Sequence, residues 1–272
     1  MADLAETNRK HFDKVASNHQ TDFGELIAAV IAELKRRRGW ISSTLAGGPN
    51  TDSHTAPALR DEVRLLDYAC GAGTVSKALA PHATHTIGLD LSANMVAEYN
   101  KAAREIFDAH GPGLQPGRME GFQHDLLAES YSGSGSDTAG VGAGNNPLPS
   151  GTLAPFDVIV VGMALHHVAE PGRLLTRFSE LLKPGGVCVV LDMVPGSAQF
   201  GHDVDLKESG HEGGVLDTIG KHGFTEAEMR DLYEGVGMWR GFEYAVFDER
   251  FQFTLFGQQC SSLGFIARGE ML

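Results

Sequence analysis

The sequence is short of cysteine: it has three in 272 residues, Cys70, Cys188 and Cys260, with no C-x-x-C pair among them. Such a spacing indicates neither a disulfide framework nor a cysteine zinc site, and it favours a reducing compartment. Long apolar runs are also missing, since none approaches the roughly 18 residues of a membrane span. Residues 1–6 lack the apolar core of a secretory signal. We therefore expect a cytoplasmic protein with no membrane partner, and a nuclear location stays open.

Basic residues are scarce relative to acidic ones. The chain has 22 Lys and Arg against 35 Asp and Glu, which gives a formal net charge of −13. This charge repels phosphate backbones but tolerates a cationic ligand, so we expect no nucleic-acid partner. Hydrophobic residues make up 42% of the chain, enough for the core of one large domain or two small ones.

The first 58 residues have the pattern of a helical cap followed by a linker. Residues 24–38 carry apolar side chains at helical spacing and end in four basic residues, which suit the negative end of a helix. Gly39 is expected to end this helix. An alternative reading of the basic run is a nuclear address or an anion site. Residues 42–58 are rich in turn formers and predict a linker.

From residue 63 onward, apolar runs alternate with helical patterns, which predicts βαβ units and a mostly parallel sheet. Two continuous apolar runs, 156–165 and 186–194, are typical of central strands covered on both faces. The tract 128–155 is rich in glycine and serine and predicts a flexible insertion. Further strands are predicted at 63–68, 86–89, 119–124, 242–246 and 263–267, and helices at 74–81, 93–107, 171–182 and from a capping box at Thr225 and Glu228.

An acidic residue stands on each side of a glycine-rich turn after the first strand. Gly71 and Gly73 lack β-carbons where the backbone must turn sharply and approach a ligand, and Asp90 is placed to bond a ribose diol. These features also suit a nicotinamide dinucleotide, but Ser76 stands where the G-x-G-x-x-G/A fingerprint has its third small residue. Asp67 would repel a pyrophosphate and stabilise an ammonium group. The predicted ligand is a nucleoside with a cationic tail.

Five segments, in order, resemble the motifs of one enzyme family: "LLDYACGAGT", "GLDLSANMV", "FQHDLL", "FDVIVVGMALHHV" and "LLKPGGVCVVLDMV". On these the sequence resembles the class I S-adenosylmethionine-dependent methyltransferases, in their small-molecule branch. The resemblance implies a Rossmann-like, doubly wound α/β fold with a seven-stranded, mostly parallel sheet, helices on both faces and the last strand antiparallel. It places the methyltransferase domain at 59–272 and an N-terminal helical cap or lid with its linker at 1–58. The implied cofactor is S-adenosyl-L-methionine.

The resemblance also implies a set of cofactor contacts. These residues are grouped by the part of the cofactor that each would face: Asp67, Ala69, Gly71 and Gly73 the methionine ammonium, Asp90 the ribose, Leu91, Asp125 and Leu126 the adenine, and Gly162, Met163 and Ala164 the sulfonium side. Residues 11–20, "HFDKVASNHQ", resemble the F-D-x-x-A-x-x-Y lid of many small-molecule members, with His19 in place of the tyrosine. His19 is either a cofactor contact or an exposed helix residue.

Two adjacent histidines follow the fourth strand, where the acceptor's nucleophile should arrive. An imidazole can accept a proton near neutral pH, so His166 and His167 are the candidate catalytic bases, with His166 preferred; the alternative is a histidine that caps backbone groups. We predict no metal. Asp192 stands where catechol-type members keep a magnesium ligand, but its companion ligands are not recognisable, and His202, His211 and His222 are spaced irregularly for zinc.

Three function classes stay open. The leading one is methyl transfer to a small organic molecule, at oxygen first and at carbon or nitrogen otherwise. The second is a protein methyltransferase, or a methyltransferase-like regulator that depends on a partner chain. The third, an NAD(P)-dependent oxidoreductase, rests on the shared fold logic alone. The sequence pattern does not predict the identity of the acceptor. It also does not predict the oligomeric state, whether a homo-oligomer or a complex with a protein partner.

Overall fold

The computed structural model describes residues 3–46, 62–108, 118–128, 148–200, 214–255 and 258–272. The predicted linker from residue 47 onward, residues 129–147 of the predicted insertion, His202 and His211 lie outside the described residues. The helices are α1 (Leu4–Asp22), α2 (Gly24–Ile41), α3 (Ser43–Ala46), α4 (Thr74–Leu79), α5 (Ala93–Asp108), α6 (Pro171–Leu181) and α7 (Glu226–Glu234). None of these helices is both long enough and apolar enough to cross a membrane.

Seven strands form one sheet: β1 (Arg64–Tyr68), β2 (His85–Asp90), β3 (Arg118–Gln123), β4 (Phe156–Gly162), β5 (Leu182–Met193), β7 (Arg240–Val246) and β10 (Gly264–Glu270). Their order in the sheet is β3-β2-β1-β4-β5-β10-β7. The first five in chain order pair in parallel, and β10 runs antiparallel to both of its neighbours. The predicted seven-stranded Rossmann-like sheet with an antiparallel last strand is confirmed.

Helices cover both faces of this sheet because its central strands are apolar on both sides. Residues 158–161 of β4 are all fully buried, and successive side chains point to opposite faces. Ile159 and Val161 belong to the core that includes α6 and α7, whereas Val158 and Val160 belong to the core that includes α2 and α4. The continuous apolar run therefore predicted a central strand correctly.

The strand order reverses at β1, which has β2 on one side and β4 on the other. In a doubly wound sheet, ligands bind outside the carboxyl ends of the strands at this reversal. Asp67 near the end of β1, Asp90 at the end of β2 and Gly162 at the end of β4 all come to the same edge. The fold thus brings the two predicted acids together.

A second, three-stranded antiparallel sheet was not predicted. It consists of β6 (Gln199–Phe200), β9 (Gln258–Ser262) and β8 (Phe251–Leu255), in that order. Phe251 of β8 packs in the same core as Val30 and Leu34 of α2. Because β6 has two residues and β9 is mostly polar, neither carries the apolar alternation that identifies a strand.

The predicted linker at 42–58 is wrong in its first part, because residues Ser43–Ala46 form the short helix α3. Three predicted boundaries also differ clearly from the structure. Helix α2 continues past Gly39 to Ile41, because Ile41 is fully buried. Burial of such a side chain contributes about 2 kcal/mol, more than the roughly 1 kcal/mol cost of an interior glycine. Strand β5 begins at Leu182, which pairs with Phe156 across an irregularity in the ladder, and not at residue 186. Strand β4 ends at Gly162, not at residue 165.

Candidate active site

A cavity of about 1610 Å³ lies at the carboxyl ends of β1, β2 and β4. It exceeds the roughly 300–1,000 Å³ of an ordinary ligand pocket, so it has room for a nucleoside and a second molecule. Among the described residues, the charged side chains that line it are mainly acidic: Asp3, Asp22, Asp67, Asp90, Asp125 and Glu170, against Lys14 and Arg173. This surplus of carboxylates favours a cationic ligand.

The turn after β1 leaves room for a ligand against the backbone. Ala69 and Gly71 line the cavity with left-handed φ angles of 52° and 49°. A β-carbon added at Gly71 would meet no protein atom within 4 Å, so it would occupy the space that a ligand needs. Gly73 also has a positive φ, of 86°, but it is not among the lining residues. A β-carbon there would lie 3.4 Å from the Tyr99 ring.

Asp67 lies at the bottom of the cavity and is almost fully buried. Its Oδ2 accepts two hydrogen bonds from Ser76, at 3.1 Å from the backbone nitrogen and 2.7 Å from the hydroxyl. Burial raises the pKa of Asp67 to about 8, although the bonds from Ser76 act in the opposite direction. A cation placed beside this carboxyl would favour its ionised form.

Asp90 holds the glycine-rich turn in place. Its Oδ2 accepts from the Gly71 nitrogen and its Oδ1 from the Ser92 nitrogen, both at 2.8 Å. Burial raises the pKa of Asp90 to about 6, and these backbone bonds limit the rise. Each carboxylate oxygen can accept more than one bond, so Asp90 lines the cavity with acceptor capacity for a ligand.

The side of the cavity that was predicted to hold the adenine differs in one residue from the prediction. Leu91 and Asp125 line the cavity, and Asp125 Oδ1 accepts from the Leu127 nitrogen at 2.7 Å. Leu126 is fully buried in the core and is not among the lining residues. Leu127, the next residue, lies on the cavity instead, because the tight turn points successive side chains in opposite directions.

The backbone after β4 is strained where it meets the cavity. Gly162, Met163 and Ala164 all line it, and Met163 has a φ of 56°. A non-glycine residue in this region costs on the order of 1–2 kcal/mol. The Met163 nitrogen donates to the Leu191 carbonyl at 2.7 Å, which stabilises this conformation. The bend leads into a short 3₁₀ turn, Leu165–His167, and the two histidines of this turn line the cavity.

His166 and Asp192 form a buried pair at this edge. His166 Nδ1 lies 2.8 Å from Asp192 Oδ1, and the His166 backbone nitrogen donates to Asp192 Oδ2 at 3.0 Å. A carboxylate can only accept, so Nδ1 carries the hydrogen and Nε2 of the neutral ring is the basic atom. His166 lines the cavity, and Asp192 fixes its ring orientation from behind.

His167 has different partners. Its Nδ1 lies 2.8 Å from the Thr218 carbonyl oxygen and therefore donates to it. Burial, followed by the charge of His166, lowers the pKa of His167 to about 3. His167 lines the cavity beside His166, with 4.0 Å between the ring centroids. With its pKa lowered in this way and no carboxylate partner, His167 is poorly suited to accept a proton.

Helix α1, the predicted lid, lies against the cavity and has polar attachments to the rest of the chain at three of its residues. Asn8 Nδ2 donates to the His167 carbonyl oxygen at 2.8 Å, and Gln20 Nε2 donates to the Ala72 carbonyl oxygen at 3.2 Å. Between them, Asp13 accepts from the Ser92 hydroxyl at 2.6 Å. The helix therefore spans from the glycine-rich turn to the histidine turn.

His19 faces the cavity from this lid and is not an exposed helix residue. Its ring lies 5.1 Å from that of Phe23, and its Nδ1 is buried without a hydrogen-bond partner among the described residues. Burial lowers the pKa of His19, so the ring is neutral near pH 7. The side chain faces the cavity, and the cofactor contact that the lid resemblance implies stays a prediction.

Replacing Asp13 with alanine is expected to loosen the lid. Asp13 also accepts from the Asn94 nitrogen at 3.2 Å, so the change removes a cap of α5 together with a lid attachment. The loss should be about 1–2 kcal/mol of local stability, seen as faster hydrogen exchange in residues 4–22. Ser17→Ala is the matched control, because within the described part of the chain the Ser17 hydroxyl bonds only its neighbour Asn18. Equal exchange in both variants would show that Asp13 does not hold the lid.

The described residues contain no group of three or more histidine, cysteine or acidic side chains that could hold a metal ion. Asp192, which was considered as a magnesium ligand, is hydrogen-bonded to His166. His222, which was considered as a zinc ligand, lines the cavity. Sequence reasoning missed the pairing of His166 with Asp192 and the contributions of Asn8 and Ser76. Of these residues, only Asp192 has a sequence pattern that indicates a site, since it is an acidic residue at the end of an apolar run.

The fold and the site define a class I methyltransferase: seven strands in this order, with an acid on each side of a glycine-rich turn at the strand reversal. A family model described as a methyltransferase domain matches residues 26–247. The chain therefore belongs to this family, and the predicted class, S-adenosylmethionine-dependent methyltransferase, is confirmed. The match begins inside α2, and the predicted domain boundary at 58/59 stays a prediction.

Two curated relatives illustrate the similarity. An uncharacterized methyltransferase of Schizosaccharomyces pombe is 26% identical over 175 residues, which are 64% of this chain and 52% of the relative. A ubiquinone biosynthesis O-methyltransferase of Xylella fastidiosa is 32% identical over 125 residues, which are 45% of this chain and 39% of the relative. The aligned region thus spans about half of the length of these relatives or less.

One solved structure is similar over the whole chain. It is the magnesium protoporphyrin IX methyltransferase from Synechocystis PCC 6803 with bound SAM, which is 14% identical with a TM-score of 0.52. The likeness covers 100% of this chain and 99% of that chain. At this identity it shows the fold alone.

Proposed function

We propose that this chain transfers a methyl group from S-adenosylmethionine to a hydroxyl oxygen of a small organic molecule, with His166 as the general base. The observation that carries the proposal is the 2.8 Å contact between His166 Nδ1 and Asp192 Oδ1 at the wall of the cavity. A carboxylate-bound imidazole at the end of β4 is useful where the nucleophile must lose a proton, as a hydroxyl must.

The cavity fits the cofactor in shape and charge. The open space beside Gly71 accepts a ligand against the backbone, and the acidic lining suits a molecule with an ammonium and a sulfonium group. Asp67 would hold the ammonium, Asp90 the ribose hydroxyls, and Leu91, Asp125 and Leu127 the adenine. When bound, S-adenosylmethionine supplies a methyl group already activated for displacement.

His166 takes the acceptor's hydroxyl proton at Nε2 as the oxygen attacks. Asp192 stabilises the imidazolium that forms and keeps the ring in the required tautomer. The other residues align the reactants and exclude water: α1 covers the cleft, and the strained turn at Met163 brings the histidines over it.

The apolar part of the cavity supports a small-molecule acceptor. Part of the lining is formed by the start of α2 with the residue before it and by the second sheet, with Phe23, Leu26, Ile27 and Phe253 among its residues. Apolar walls with few polar groups are typical of small-ligand sites. The similarity to an enzyme named as a ubiquinone biosynthesis O-methyltransferase supports oxygen as the atom methylated.

The alternative with a protein substrate predicts a different distribution of label. With S-adenosylmethionine labelled in its methyl group, we expect label in small-molecule products separated from the cofactor, and little label in the protein fraction of the same cell extract. A reaction without the protein provides the background. Label confined to the protein fraction would replace the proposal with a protein methyltransferase, and mass spectrometry of the labelled product identifies the acceptor.

A further inference from the structure

We propose that Ser76 and Tyr99 form a hydrogen-bonded relay that positions the Asp67 carboxylate for the ammonium group of the cofactor's amino-acid tail. The inference rests on the proposed function, because it assumes that Asp67 faces this tail. Ser76 and Tyr99 are then positioning residues: they act on cofactor affinity through Asp67 without a contact of their own to the cofactor.

The relay has a defined direction. The Ser76 hydroxyl donates to Asp67 Oδ2 at 2.7 Å, and its oxygen lies 2.8 Å from the Tyr99 hydroxyl. Because the serine hydrogen is used on the carboxylate, the tyrosine must be the donor in the second bond. Burial raises the pKa of Tyr99 well above its usual value, so the phenol keeps the hydrogen that it donates.

Glycines on neighbouring elements leave space for the Tyr99 ring. Tyr99 is fully buried, and its ring fills the space that side chains would take at two glycines. A β-carbon at Gly88 would lie 2.6 Å from the ring, and one at Gly121 would lie 2.7 Å from it. Together with Gly73 at 3.4 Å, these glycines of β2, β3 and the turn let a tyrosine on α5 reach Ser76 on α4.

The arrangement leaves one carboxylate oxygen for the cavity. Both hydrogen bonds from Ser76 go to Oδ2 of Asp67. None of the described residues donates a hydrogen bond to Oδ1. Asp67 nonetheless lines the cavity. Ser76 therefore orients the group as well as stabilising its charge, and it occupies the position where a dinucleotide fingerprint has its third small residue.

Among the described residues, the other titratable groups that interact with Asp67 are Asp90, Cys70 and Tyr99. Burial keeps Cys70 and Tyr99 protonated and neutral, since it raises both pKa values well above normal. Asp90 is the charged member of this set, and it raises the pKa of Asp67. Loss of the Ser76 hydroxyl removes a bond that lowers this pKa, so ionisation of Asp67 should shift to higher pH.

The test compares two ligands by calorimetry on the full chain. S-adenosylhomocysteine has the amino-acid tail, whereas 5′-methylthioadenosine has the same nucleoside without it. Ser76→Ala should weaken S-adenosylhomocysteine about tenfold, and Tyr99→Phe about threefold, with methylthioadenosine affected less than twofold. Tyr233→Phe is the matched control, because its buried hydroxyl bonds the backbone carbonyls of Cys188 and Ala267, away from the cavity.

A pH series separates positioning from mere stability. Ionised Asp67 binds the ammonium, so wild-type affinity for S-adenosylhomocysteine should rise with pH toward the Asp67 pKa of about 8, up to the pH at which the ligand's own ammonium group loses its proton. In Ser76→Ala this rise should occur at higher pH, whereas methylthioadenosine should show no such rise. In an Asp67→Asn background, Ser76→Ala should cause no further loss.

Three outcomes would overturn the relay. One is equal weakening of both ligands, which is the result of a general distortion of the turn. Another is an unchanged pH profile in Ser76→Ala, and the third is unchanged affinity in Tyr99→Phe, which keeps the ring and is the variant to use if Ser76→Ala does not fold. Failure of the wild type to bind S-adenosylhomocysteine at all would instead remove the proposed function, and the relay with it.

Discussion

Replacing His166 with alanine is expected to lower kcat about 100-fold and to leave the affinity for S-adenosylhomocysteine within about threefold of wild type. The variant removes the base but none of the proposed cofactor contacts. Turnover is measured with methyl-labelled cofactor and the small-molecule fraction that accepts the label, and affinity by calorimetry. His85→Ala is the control, because His85 lies at the amino end of β2, the far end of that strand from the cavity.

Two further variants test how the base works. Asp192→Asn keeps the shape of the side chain but removes the charge that stabilises the imidazolium, so kcat should fall at least tenfold. His167→Ala should have the smaller effect of the two histidine variants, because His167 has a carbonyl partner and a pKa lowered to about 3. Unchanged turnover in both histidine variants would remove the base assignment and favour an acceptor that is already deprotonated.

The parts of the site that could be predicted are those whose residues lie close together in the chain. Asp67, Gly71 and Asp90 fall within one βαβ unit, and the ends of its two parallel strands must lie side by side. The position of His166 at the same edge could also be predicted locally, because it follows an apolar run that is typical of a central strand. Local pattern was enough to place these side chains at one edge of the sheet.

The parts that could not be predicted depend on contacts between distant segments. Asp192 meets His166 because β4 and β5 pair with Gly162 opposite Leu191, and a register of this kind is not written in either segment alone. Ser76 and Tyr99 meet because glycines on two other strands leave room for the ring. Leu126 was predicted to face the ligand, but Leu127 lines the cavity instead. In a tight turn, a shift of one residue changes which side chain faces the core.

The boundary errors have the same origin. Gly39 is a helix terminator by local propensity, but burial of Ile41 two residues later outweighs that preference. The second sheet is held by Phe251 against α2, a contact between residues more than 200 positions apart. This sheet lines the apolar part of the cavity through Phe253. The part of the cavity proposed to bind the acceptor was therefore the least predictable part of the molecule.

Replacing Asp90 with asparagine is expected to weaken S-adenosylhomocysteine and 5′-methylthioadenosine alike, each about 30-fold. Both ligands carry the ribose, and two hydrogen bonds to an ionised carboxylate each exceed a neutral bond by about 1 kcal/mol. Calorimetry at pH 8 measures the effect, because Asp90, with its pKa of about 6, is then ionised.

Asp157→Asn is the control for this variant. Asp157 also accepts two hydrogen bonds, from the Arg64 nitrogen and from Lys183, each at 2.8 Å, but it lies near the start of β4, away from the cavity. The pattern across ligands distinguishes the two acids: loss of Asp90 weakens everything with a ribose, whereas loss of Asp67 or its relay weakens only what carries the amino-acid tail. If Asp90→Asn left methylthioadenosine binding intact, or if NAD bound in place of both nucleosides, the cavity would hold its ligand in another orientation and the two acids would not be its ribose and ammonium contacts.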